Sequence, residues 1–212
     1  MNLKMPFQTP EEFFLGEAPI PFTLEGCDPL TMKRNINQPL YSPSSTQLIS
    51  PRQEIVIMVG YPGSGKSYFT INQLEQKGGY VRVNRDTLKT KEKCIELAQQ
   101  SINSGKSVVI DNTNPDRDAR KPYIQMAKQK GIQVRAFVMQ TTYEESMHNN
   151  QFREIISNGK NSHVPTIVYN VYRKKFEEPA RNEGFDEIVK TYFKPTFDDE
   201  EKEKIFYMWT PL

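Results

Sequence analysis

The sequence predicts an α/β protein whose central parallel sheet is covered by helices on both faces. Three observations carry that expectation. The continuous apolar run Ile55-Val56-Ile57-Met58-Val59 reads as a strand buried on both sides. Short apolar segments then alternate with helical stretches of about 10 to 15 residues, as repeated βαβ units require. With 212 residues, 36% of them hydrophobic, the chain can bury one substantial core.

The elements follow in order. Residues 1–50 are broken by prolines such as Pro6, Pro10, Pro19, Pro21 and Pro29 and keep no helical or alternating period, so they read as an arm or linker. Within the arm, Thr9 and Pro10 start a short amphipathic piece around Glu11–Leu15, and Phe13, Phe14 and Phe22 are placed to dock on a neighbouring surface. Regular structure begins at Glu54 with the first strand. A glycine-rich loop follows, then a helix from Lys66 to about Gln76 and a short strand from Tyr80 to Val83. Thr90 to Ser104 places Cys94, Leu97, Ala98 and Ile102 at helical spacing, with Gly105 as a stop. Ser107–Ile110 is the third strand, Pro115–Lys130 a helix closed by Gly131, and Val134–Met139 the fourth strand. Thr142–Ile155 and Thr166–Phe176 read as helices flanking a polar loop, and Asp186–Phe193 as a last strand. Residues 51–193 thus form the domain. The acidic tail, 194–212, with Phe206, Tyr207, Met208 and Trp209 near its end, carries no functional signal.

The net charge of +2 is unevenly spread. Residues 1–50 hold three basic and five acidic side chains, residues 51–193 hold 22 and 16, and the tail holds three and five. The positive excess on the domain suits a polyanionic partner and equally suits an ordinary solvated surface. Cys27 and Cys94 have no metal-ligand spacing, which points to a reducing compartment. Without a long apolar run or a signal-peptide pattern, the expectation is a soluble intracellular protein.

Gly60-Tyr61-Pro62-Gly63-Ser64-Gly65-Lys66-Ser67 matches GxxxxGK[ST], directly after a buried strand and directly before a helix. Phosphate oxygens need several donors converging on a small volume, and glycines let backbone N–H groups point inward. The helix N-terminus adds partial positive charge. Lys66 is expected to bridge the β- and γ-phosphates of a nucleotide and Ser67 to ligate Mg²⁺, within a binding set of Gly60, Gly63, Ser64, Gly65, Lys66, Ser67 and Tyr68. The loop fixes nucleotide binding alone, since switches, motors and kinases share it.

Ligands on such sheets sit outside the carboxyl ends of the strands. There the sequence places Val83-Asn84-Arg85-Asp86-Thr87 and Ile110-Asp111-Asn112-Thr113-Asn114. A phosphoryl acceptor must be held in line and lose its proton, which Asp86 suits; the alternative for Asp86 is a helix cap. Asp111 ends an apolar run, as a Mg²⁺-holding acid does, or else makes an Asx-turn. Arg85 either clamps a phosphate or pairs with Asp111 or Asp116.

GYPGSGKS, VNRDTL, IDNTNPD and HNNQFRE, in this order, resemble the kinase domain of the animal and fungal polynucleotide kinase 3′-phosphatases, from about Pro51 to Phe193. PFQTPEEFF in the arm resembles the segment joining their phosphatase and kinase domains. The phosphatase DxDGT motif is absent; its nearest string, Cys27-Asp28-Pro29-Leu30-Thr31, lacks the first aspartate and the glycine. The resemblance implies a P-loop kinase fold with a helical lid and an ATP- and Mg²⁺-dependent 5′-hydroxyl kinase acting on DNA, or on RNA. It further implies a nuclear, monomeric protein that works in strand-break end repair.

The resemblance also implies that Asp86 takes the 5′-hydroxyl proton and that Arg153, in the lid, stands near the transferring group beside Lys66. A cation there answers the charge developing on the equatorial oxygens; an ion pair of Arg153 with Glu154 or Glu145 is the alternative. His148 is expected at the surface, outside the catalytic set. Adenine is expected to stack on Arg153 or Arg173. Arg85, Thr87, Lys89, Arg117 and Arg120 are candidates for the nucleic-acid strand, with solvated side chains as the default. Two other readings stay open: a kinase of a small sugar or nucleoside, and a nucleotide-gated module that binds ends without transfer.

Overall fold

The computed structural model describes residues 8–19, 27–157 and 163–208. In chain order its helices and strands are α1 (Pro29–Arg34), β1 (Tyr41–Ser42), β2 (Glu54–Val59), α2 (Lys66–Phe69) and, after a π-helical stretch over Thr70–Glu75, α3 (Gln76–Gly78). Then come β3 (Val81–Val83), α4 (Arg85–Leu88), α5 (Lys91–Asn103), β4 (Val108–Ile110), α6 (Arg117–Lys130), β5 (Gln133–Met139), α7 (Tyr143–Ile156), α8 (Thr166–Lys175), β6 (Glu187–Thr191) and α9 (Glu200–Phe206).

One six-stranded sheet has the order β1-β6-β5-β2-β4-β3. All neighbours are parallel except β1, which pairs with β6 in the antiparallel sense. Every residue of β2 is buried. Alternate residues face opposite sides: Ile55, Ile57 and Val59 join Val83, Ile110, Ile124 and Ala136 in one core. Val56 and Met58 join Phe69, Leu74, Val109 and Phe137 in the other. Each fully buried aliphatic side chain contributes about 1.5–3 kcal/mol, so the central strand is the firmest support for the loop that follows it. After β2 the chain crosses to β3 and returns through β4 to β2's flank, then continues on its other side with β5 and β6. The strand order therefore reverses at β2, which opens a crevice at the carboxyl ends.

The arm departs from its expected character. Tyr41 pairs with Thr191, so residues 41–42 extend the sheet. Arg135 then fastens the arm from behind: it donates to the Gln47 and Leu48 carbonyls at 2.8 and 3.0 Å while its guanidinium forks onto the buried Glu54. Phe13 and Phe14 do not dock; they are 67% and 78% exposed and meet each other edge to face. Phe22 lies outside the described residues. The tail departs too, because Phe206 of α9 is 1% exposed and forms a third core with Cys27 and Met32, packed by Phe152 of α7, Phe193 and Phe197.

Candidate active site

The loop Gly60–Ser67 leaves the buried end of β2 and enters α2 at Lys66. Gly63 has φ +74°, and a Cβ there would stand 2.5 Å from the Ser146 carbonyl oxygen of α7. At Gly65, φ +93°, a Cβ would meet the Phe193 ring at 2.5 Å. The loop is thus pressed by the lid helix on one side and by the C-terminal segment on the other. Thr141, just before the lid helix, and Asn149 within it fix the loop, donating to the carbonyls of Ser64 and Gly63, both at 2.9 Å. The α2 terminus has no side-chain cap, which leaves its first N–H groups for an anion. Lys66 is 7% exposed, and its ammonium donates to the carbonyls of Gly60 and Tyr61 at 2.9 and 2.5 Å and to the Ser64 hydroxyl at 3.3 Å. Burial pushes its pKa down to about 8; Asp111 and Asp86 draw it back up, and Arg153 lowers it further.

The two strand-end segments are stitched together. Asn84 donates to the Asp111 carbonyl at 2.7 Å, and the Arg85 N–H donates to Asn112 Oδ1 at 2.9 Å. Asn84, not Asp86, caps α4, accepting from the Thr87 N–H. Asp86 is therefore left with an exposed carboxylate in the first turn of α4. Asp111 is 2% exposed, and its Oδ2 accepts from Arg82 Nε and Nη2 at 2.8 and 2.7 Å. Its partner is thus Arg82, not Arg85. Its Oδ1 is buried and has no protein partner among the described residues.

The lid helix α7 begins with a capping box between Thr142 and Glu145. Glu145 is occupied there, and Glu154 pairs with His163 at 2.9 Å, so neither alternative partner holds Arg153; among the described residues Arg153 has no ion pair. Arg153 lies between two cavities. One, about 370 Å³, is walled by the loop, Tyr68, Asn149, Phe152, Phe193–Phe197 and Phe206. The other, about 620 Å³, is walled by Arg85, Asp86, Asp111, Asp116, Tyr123, Val164 and Val168. Gly63, Lys66, Ser67 and Arg153 belong to both walls.

Of the sequence-derived candidates, the structure gathers Gly63 to Tyr68 of the loop, Arg85, Asp86, Asp111 and Arg153 at these cavities, while Gly60, at the start of the loop, lines neither. Others it moves away. Arg120 cannot meet a nucleic acid: it is fully buried, forks onto Glu183 at 2.8 and 2.9 Å, and donates to the Asn114, Pro115 and Glu177 carbonyls. Each of its three guanidinium nitrogens donates inside the protein. Arg173 lies over the Tyr143 ring, 5.3 Å from its centroid, and lines neither cavity, so it offers no adenine stack. Lys89 folds onto the Asp86 carbonyl at 2.6 Å, Thr87 lies on the exposed side of α4, and Arg117 faces Glu177 at 3.4 Å; none of these three lines a cavity. His148 is not at the surface: it is 1% exposed and its Nε2–H donates to the Phe206 carbonyl at 2.7 Å. Burial lowers its pKa. The aromatic wall of Phe193, Phe197 and Phe206 was missed in the sequence; its signal was the spacing of phenylalanines in an otherwise charged tail.

A glycine-rich phosphate loop at the switch point of a parallel sheet, with a strand-end acid and an arginine of α7 beside it, defines a nucleotide-binding site of the P-loop fold class. A family profile described as an AAA domain matches residues 89–179. The chain is 39% identical, over 97% of its length, to the bifunctional polynucleotide phosphatase/kinase of Schizosaccharomyces pombe, and covers 49% of that protein. It is 38% identical, over 98% of its length, to a protein of Acanthamoeba polyphaga mimivirus, covering 51% of it. The chain is thus a relative of the polynucleotide phosphatase/kinases, and it spans about half the length of the curated relatives it matches. A fungal RNA kinase structure shares the fold, with TM-score 0.51 at 14% identity, over 74% of this chain and 83% of that one.

Proposed function

We propose that this chain transfers the γ-phosphate of ATP to the 5′-hydroxyl end of a nucleic acid strand. The observation that carries this reading is the pair of cavities that meet at Gly63, Lys66, Ser67 and Arg153. In-line transfer needs a donor and an acceptor approaching one phosphoryl group from opposite sides. The smaller, aromatic-walled cavity takes the adenosine, beside Tyr68, Phe152 and Phe197. The larger one, with Asp86 on its wall, takes the acceptor.

The 5′-oxygen attacks the γ-phosphorus as Asp86 accepts its proton, and the bond to the β,γ-bridging oxygen breaks, releasing ADP. Lys66 and the loop N–H groups hold the β- and γ-phosphates, while Arg153 answers charge on the equatorial oxygens. Arg85 stands beside Asp86 for the phosphate following the terminal nucleoside. The unpartnered Oδ1 of Asp111 and the Ser67 hydroxyl fit a Mg²⁺ ion, which commonly takes one or two protein oxygens and completes its shell with phosphate and water. When bound, such an ion neutralises phosphate charge. The relatives' names support nucleic acid as acceptor, and DNA end repair in the nucleus extends that reading. The kinase unit we propose runs through residues 51–193 and draws on segments outside both borders.

The test is transfer of label from γ-labelled ATP to a 5′-hydroxyl oligonucleotide, beside a 5′-phosphorylated one, with Asp86→Asn as control. Label on the hydroxyl strand alone, lost in the variant, supports the proposal. ATP binding without label on any DNA or RNA end overturns it.

A further inference from the structure

One face of α8 carries a stripe that the transfer chemistry leaves unexplained. Helical spacing sets Val168, Val171 and Lys175 in line, at i, i+3 and i+7, with Ile167 and Lys174 beside them. Val168 is 41% exposed, Val171 47% and Ile167 65%, and both lysines are exposed. The helix packs through its other side, where Tyr169 and Tyr172 are buried against Tyr61 and Arg173 covers Tyr143. Single apolar residues on a surface are ordinary, whereas adjoining ones beside a cavity mark a contact surface. This stripe is continuous with the larger cavity, because Val168 lines that cavity's wall.

We propose that this face of α8 is a track for the first unpaired nucleotides of the acceptor strand, an inference that rests on the function proposed above. Unpaired bases offer flat apolar faces, which Val168, Val171 and Ile167 can cover, and their phosphates match Lys174 and Lys175. Base-paired ends keep those faces stacked inside the duplex, so the apolar part of the stripe fits only an unpaired strand. From Val168 to Lys175 the helix rises about 10 Å, which carries the strand beyond its terminal nucleoside. Glu177, just past the helix, is paired with Arg117, which tempers its repulsion of a phosphate.

The test compares the parent with the triple variant Val171→Ser, Lys174→Ser, Lys175→Ser on two acceptors, with a blunt 5′-hydroxyl duplex as a third for comparison. One is a single-stranded 5′-hydroxyl oligonucleotide of about eight nucleotides, within the usual site size for such strands. The other is a nucleoside 3′-monophosphate, whose 5′-hydroxyl enters the cavity but which ends before the track. The expected result is that the ratio of kcat/KM, oligonucleotide over mononucleotide, falls about tenfold through the oligonucleotide KM, and that its salt dependence becomes shallower by about one phosphate contact per lysine removed. An unchanged ratio overturns the track. An equal loss on a blunt duplex overturns the assignment to unpaired nucleotides, and altered self-association with unaltered strand kinetics assigns the stripe to a second copy of the chain instead. If the parent labels neither acceptor, the proposed function itself falls and the track with it, a result distinguishable because it needs no variant.

Discussion

Asn149 donates its side-chain amide to the Gly63 carbonyl at 2.9 Å, so the lid helix and the phosphate loop are joined across the wall between the two cavities. Ser146, one turn earlier in α7, approaches the same glycine so closely that a Cβ has no room, and the φ of +74° disfavours any other residue. Gly63→Ala is therefore expected to raise the KM for ATP by about tenfold or more, since each 1.4 kcal/mol of strain or lost contact costs that factor. Asn149→Ala is expected to weaken ATP in the same direction by less. Titration of ATP in the transfer assay checks both; unaltered ATP affinity in Gly63→Ala would remove the loop from phosphate binding.

Asp86 and Arg153 are expected to act on turnover rather than on ATP affinity. Loss of a general base costs about 10²–10⁴ in rate, and loss of one preorganised charge-stabilising group about 10²–10³. Asp86→Asn and Arg153→Gln should show these losses in kcat with the dissociation constant for ATP within about threefold of the parent, a difference under 1 kcal/mol. A parent-like kcat in Asp86→Asn would exclude it as the base.

Lys66 is expected to make nucleotide binding depend on pH. Its pKa is pushed down to about 8 by burial, below the ordinary lysine value of 10.5. The charged form is the one that holds phosphate, so kcat/KM for ATP is expected to be level below about pH 8 and to fall toward tenfold per unit above it. Lys66→Arg, whose guanidinium stays charged, should remove that break even if it lowers the plateau. The effect on folding has the opposite sense: between about pH 8 and 10.5 the unfolded chain binds more protons at this site, so this one group's contribution to stability rises with pH there. A profile of kcat/KM against pH for both proteins decides the first point and denaturant unfolding the second.

Arg120 and Arg117 should separate cleanly. Removing Arg120 leaves Glu183, whose side chain is 4% exposed, without its partner, and breaking a buried pair costs about 3–5 kcal/mol. Arg120→Ala is thus expected to lower the unfolding midpoint strongly. Arg117→Ala, at an exposed pair, should stay within about 0.5 kcal/mol of the parent. Urea unfolding of the two variants measures the contrast; equal stabilities would contradict the buried clamp.

The parts of the fold that could be read in the sequence are those whose causes are local. β2 announced itself by an unbroken apolar run, and the phosphate loop by glycines at fixed spacing beside it. The place of Asp86 on the cavity wall was legible because a strand end fixes its edge of the sheet, although the cap proved to be Asn84, two residues earlier. Arg120 was misread because its partner, Glu183, lies 63 residues away and nothing in the neighbouring sequence records that pairing. His148 failed for the same reason, its carbonyl partner being 58 residues distant in α9. The resemblance puts Arg173 beside the nucleotide, but the helical phase of α8 turns it onto Tyr143. The two-residue β1 is too short for any alternation to register.

The third core ties Cys27 and Met32, from the arm, to Phe206, from the tail, behind the lid helix. Phe206 and Phe193–Phe197 are also wall of the smaller cavity. A piece cut at the borders the motifs suggest, 51 and 193, would keep every signature of the loop and the strand ends and still lack most of one side of this cavity. The aromatic closure therefore makes the packed unit longer than the motifs mark, reaching from Cys27 to Phe206.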